Sequence, residues 1–122
     1  MRQVNVQVAS GANTATINGI QIDANQLINA SFHLLVGDAT AAGTFKIQAS
    51  NDVAPAGGAN VAGNFVVTNW VDIPNATVTQ AAGTRQALIQ LSEISYRWIR
   101  AVWVETTPGT STNQVNMFAV GV

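Results

Sequence analysis

The chain has no cysteine, so disulfides and thiolate metal sites are excluded and the redox compartment leaves no mark on it. Charge is almost as scarce. Only 9% of the 122 residues are charged, where soluble domains carry roughly 25%. Five basic and six acidic residues leave a net charge of −1, with no basic stripe for nucleic acid and no acidic tail. His33 is the single histidine, so the usual nucleophile–base pairs lack partners. Asp23, Asp38, Asp52, Asp72, Glu93 and Glu105 are scattered singly, whereas glycoside hydrolysis needs two acids facing one groove. Gly57-Gly58 has neither the lysine nor the following helix of a phosphate cradle. No apolar run is long enough to span a bilayer, and Met1–Val6 alternates polar and apolar residues without the apolar core of a signal peptide. The expectation is a non-enzymatic protein without cofactor, nucleic-acid partner, membrane partner or cleaved signal.

What is present is a hydrophobic content of 48%, with amides and hydroxyls supplying most of the polar surface. Such a surface repels other copies weakly, which leans towards a protein that lives assembled. At this length the chain reads as one domain, residues 1–122.

The periodicity is that of strands. Tyr96–Val104 is aromatic, β-branched and arginine-containing, with no turn former. Ile99, Ala101 and Trp103 fall on one face; Trp98, Arg100, Val102 and Val104 fall on the other. With both rows largely apolar, it reads as a central strand whose outer face is at least partly covered. Thr44–Ser50 alternates cleanly, with Phe45, Ile47 and Ala49 inward and Lys46, Gln48 and Ser50 outward. Further strands are expected over 3–8, 28–36, 65–73, 76–80, 84–91 and 113–122, with Pro74-Asn75 as a stop. Asn18-Gly19 suits a two-residue hairpin or a glycine bulge in one continuous strand. Residues 24–29 alone allow a short helical turn. Eight to ten short strands with frequent turns and no helical period predict an all-β, two-sheet antiparallel sandwich.

The three tryptophans, Trp70, Trp98 and Trp103, read either as a sugar-stacking platform or as core. The second places at least two between the sheets, Trp70 among them. A calcium site would have to use Asp52, Asp72 and loop carbonyls, and their spacing matches no calcium loop. Asn51–Asn64 is a long Ala/Gly connection containing Pro55, Gly57, Gly58 and Asn60. That loop and the first strand, with Val4, Val6 and Val8 on one face, are the segments a sandwich leaves least explained. They are the expected contact surface, with Asn51, Asp52, Pro55, Gly57, Gly58 and Asn60 as its loop residues.

Three motifs recur in order: Gly43-Thr44-Phe45-Lys46-Ile47-Gln48-Ala49-Ser50-Asn51-Asp52, then Asn69-Trp70-Val71-Asp72-Ile73-Pro74, then Tyr96-Arg97-Trp98-Ile99-Arg100. The series, over roughly residues 31–121, resembles the small β-sandwich virion proteins of tailed bacteriophages. The resemblance implies a jelly-roll-like sandwich without catalytic residues, found on the virion after synthesis in the host cytoplasm. It implies a capsid decoration, head-fibre or tail accessory role. Its partners would be copies of itself, such as a trimer, and the major capsid or another virion protein. A carbohydrate- or host-surface-binding module is the alternative.

Overall fold

The computed structural model describes residues 4–12, 16–25, 27–37, 40–53, 66–107 and 114–122, of which 4–12 and 114 are described by their backbone. Among the described residues nine strands form two sheets: β1 (Val4–Ala12), β2 (Ile17–Asn18), β3 (Ile22–Asp23), β4 (Ala30–Val36), β5 (Ala42–Ser50), β6 (Val71–Gln80), β7 (Gln86–Leu91), β8 (Trp98–Thr107) and β9 (Gln114–Gly121). One sheet runs β1-β9-β4-β7; the other runs β2-β8-β5-β6, with β3 also on β8. Every pairing is antiparallel. The chain crosses between sheets at almost every connection, and this strand order is that of a jelly roll, as expected.

The inward rows follow the alternation of the sequence. Phe32, Leu34 and Val36 on β4, Phe45, Ile47 and Ala49 on β5, Ile89 and Leu91 on β7, and Ile99, Ala101 and Trp103 on β8 are all buried. Val115, Met117 and Ala119 complete the core from β9. The outer row of β8 is covered as well, with Val102 buried and Trp98, Arg100 and Val104 half-buried. Ser50, expected outward, is buried, and its Oγ accepts the Asp52 N–H at 3.1 Å.

Of the two readings of Asn18-Gly19, the bulge holds and the hairpin does not: β2 and β3 both lie on β8, and residues 19–21 face only residues 100–101, so this is one strand with a bulge. The Gly19 N–H bonds the Ala101 carbonyl at 2.7 Å. Three expectations change. Pro74-Asn75 does not stop its strand. β6 is an edge, where a proline costs no ladder bond, and Asn75 takes φ 65° within a register shift between Lys46 and Gln48. Strand structure begins at Val71, leaving Trp70 before it, half-buried and outside the core; of the three tryptophans only Trp103 is fully buried. Finally, β1 pairs with β9 from Val4 to Ala12, so the first strand is a member of the sandwich rather than a spare segment. Residues 24–29 hold a single turn, Leu27 N–H to the Ala24 carbonyl at 3.1 Å.

Trp103 sits where the two central strands of its sheet meet. Gly43 lies beneath the indole: a Cβ there would fall 2.6 Å from the ring and 2.5 Å from the Val104 carbonyl oxygen. Among the described residues no acceptor reaches Trp103 Nε1, so shape holds the ring. Gly43→Ala should therefore cost about 1–3 kcal/mol through overpacking, and Trp103→Ala about 3–5 kcal/mol through the cavity it leaves. Thermal melting followed by circular dichroism checks both, and an unchanged midpoint for either variant would place the ring elsewhere.

Candidate functional site

Antiparallel pairing carries the end of β5, the starts of β6 and β8 and the ends of β3, β7 and β9 to one end of the sandwich. There Asn51 and Asp52 organise the connections. Asn51 Oδ1 accepts the Arg97 N–H at 2.9 Å. Asp52 Oδ2 accepts the N–H groups of Thr68 at 3.2 Å and Asn69 at 3.1 Å, and Oδ1 accepts Asn69 Nδ2 at 2.9 Å. The Asp52 carbonyl takes Trp98 Nε1 at 3.1 Å. One carboxylate thus closes the base of the long connection, and Gln21 Oε1 adds a bond from the Val67 N–H at 3.0 Å. The Asn69 amide and then the Asn69 N–H hold the Asp52 carboxyl below its ordinary pKa against desolvation, and the Thr68 N–H adds a lesser contribution.

Beside this clasp lies a polar row across the outer face of the second sheet. Asp72, Gln48 and Arg100 are register partners on β6, β5 and β8. Arg100 Nε donates to Gln48 Oε1 at 2.9 Å, Gln48 Nε2 donates to Asp72 Oδ1 at 2.9 Å, and Lys46 Nζ reaches Asp72 Oδ2 at 3.2 Å. The Gln48 bond, then Lys46, hold the Asp72 carboxyl below its usual pKa, although burial opposes them. The Trp70 ring lies over the Arg100 guanidinium, 4.5 Å from it. Burial under that ring presses the guanidinium pKa down. A groove of about 460 Å³ runs between clasp and row, lined by Asn51, Asp52, Asn69, Asp72, Pro74 and Tyr96 among others. Its amides, carboxylates and phenol suit a hydrogen-bonding ligand such as a sugar or an extended peptide.

The structure thus brings together two of the expected contact residues, Asn51 and Asp52. Val4 and Val6 belong to the other sheet, paired with Gly121 and Ala119 on β9, and Val8 falls at a register break in β1. Pro55, Gly57, Gly58 and Asn60 lie outside the described residues. Trp70, Arg100, Gln48 and Asp72 went unrecognised as a unit. Their signal was present in the outward positions of three strands, and only the register shows that those positions align. Each oxygen of Asp52 and Asp72 accepts a hydrogen bond from the same chain, and among the described residues no three acidic or histidine side chains gather as a metal site would need. His33 stands on the opposite sheet, bonded to Gln86 Oε1 at 3.1 Å and tilted against Phe118.

No protein-family model matches the chain, and no curated protein matches it in sequence. Its fold has solved counterparts. A protein derived from the SPBc2 prophage, YomS, is 8% identical with a TM-score of 0.57, over 99% of this chain and 95% of its own. A chain of the Triatoma virus empty capsid is 12% identical with a TM-score of 0.51, over 99% of this chain and 87% of its own. At these identities the likeness is one of fold.

Because both carboxyls titrate below 3.8 in the folded chain, folding leaves fewer protons bound than unfolding does. Their contribution is complete at neutral pH and lost as pH falls through the folded values, below about 4. The melting midpoint should be flat from neutral pH to that point and fall beyond it. In Asp52→Ala the acid-side fall should be shallower, and amide exchange at Thr68 and Asn69 faster. Trp70→Ala should cost about 1 kcal/mol, and a loss as large as that of Trp103→Ala would return the ring to the core.

Proposed function

We propose that the chain is a non-enzymatic structural protein of a virion, a decoration or minor head component carried on the capsid in repeated copies. One observation carries the reading: the jelly roll, over 99% of its length, has the fold of a prophage-derived protein and of a viral capsid chain. The composition supports it, since few charges and many amides give a surface that tolerates close neighbours. So do Asp52 and Asp72, whose carboxylates clasp a loop and brace a sheet face. Copies of the chain and the major capsid or another virion protein are its partners, and the virion is its location.

A second reading, recognition of a glycan or host surface, is favoured by the Trp70–Arg100 stack beside an open groove. A groove lined by Ala49, Val71 and Ile73 with a few amides, next to an aromatic ring, can seat a sugar.

Density-gradient-purified particles from the genome that encodes the chain, digested and examined by mass spectrometry, test the first reading. The expected result is peptides of this chain co-purifying with capsid protein at many copies per particle. Abundant chain in the lysate with none on particles would overturn it. Glycan-array binding lost in Trp70→Ala would then establish the second.

A further inference from the structure

The sandwich has four sheet edges, and three carry the features by which proteins protect an edge from pairing. β1 has a register break between Gln7 and Ala9. The β2–β3 edge is short and broken at Gly19–Gln21. β6 carries Asp72, Pro74 and a register shift. β7, Gln86–Leu91, has none of these: no charge, no proline, and an unbroken register with β4.

The main-chain phase of β7 is set by its neighbour. The Val36 N–H donates to the Arg85 carbonyl at 2.8 Å, so Ala87, Ile89 and Leu91 turn their main-chain groups towards β4. Gln86, Leu88 and Gln90 turn theirs outward. The Gln86 carbonyl accepts Gln80 Nε2 at 3.1 Å, which uses one of its two lone pairs. Among the described residues, nothing bonds the outward groups of Leu88 and Gln90. The Leu88 side chain is 62% exposed and shares a cross-strand row with His33 and Phe118.

The strand is also its own complement. Gln86-Ala87-Leu88-Ile89-Gln90 reads almost alike in both directions. A second copy laid antiparallel about Leu88 sets leucine against leucine and Gln86 against Gln90, with no like charges meeting at the two-fold axis. We propose that β7 pairs with β7 of a second copy, joining two four-stranded sheets into one of eight strands. Paired main-chain groups supply the affinity, and the Leu88–His33–Phe118 row continues across the junction. The proposal deepens the reading above by naming the edge through which copies meet. It is tested on the purified chain, so its failure is distinct from absence of the chain on particles.

Sedimentation velocity should show the parent chain as a concentration-dependent dimer. Gln86→Lys with Gln90→Lys sets lysine against lysine twice and should weaken the dimer by roughly tenfold or more. Gln86→Lys with Gln90→Glu sets lysine against glutamate twice; it should keep the dimer and make it salt-sensitive. Both variants lose the Gln86 contact with His33 equally, so that loss cancels, and matched melting curves confirm that both fold. A parent that stays monomeric at every concentration, or two variants that dimerise alike, would overturn the proposal.

Discussion

The jelly roll depends on one strand being apolar on both faces. β8 sends Ile99, Ala101 and Trp103 into the core, and on its outer row Val102 is buried and Arg100 lies under the Trp70 ring. Its main-chain groups are paired on both sides, by β5 and by β2–β3, so it is a central strand of its sheet. Trp103 then demands room that only a residue without a side chain can give, which is why Gly43 stands opposite. The order of the second sheet follows from these requirements, and the first sheet closes over the resulting core.

Much of this was legible in the residues. Period-2 alternation locates β4, β5, β7 and β8 and gives the inward side chains of β5 and β8, because burial on one face forces that pattern. The misreadings, and the choice left open at Asn18-Gly19, share a cause: local signals were weighed without knowing which strands lie at edges. Pro74-Asn75 is a stop in a central strand and a tolerated bulge in β6. Asn18-Gly19 is a hairpin only when its flanks pair with each other, and here both pair with β8. Large aromatics are usually core, and Trp70 instead stays half-buried outside it, stacked on the Arg100 guanidinium. The cross-strand row Asp72–Gln48–Arg100 joins residues far apart in the chain, and no spacing rule reveals a register that bulges have shifted.

The surface chemistry is consistent with a scaffold. Asp52 closes a loop and Asp72 braces a sheet face, each of their oxygens accepting a hydrogen bond from the same chain. Such groups order the end of the sandwich. Contacts built from main-chain groups and uncharged side chains change little with salt, which suits a component that must stay seated in varied surroundings.

The central claim, that this sandwich is a repeated part of a particle, is tested most directly by a cryo-electron microscopy reconstruction of the virion whose genome encodes the chain. The account predicts density for this jelly roll at many positions related by the capsid symmetry, resting on the major capsid protein. A reconstruction fully explained by other proteins, with no such density at any position, would contradict it.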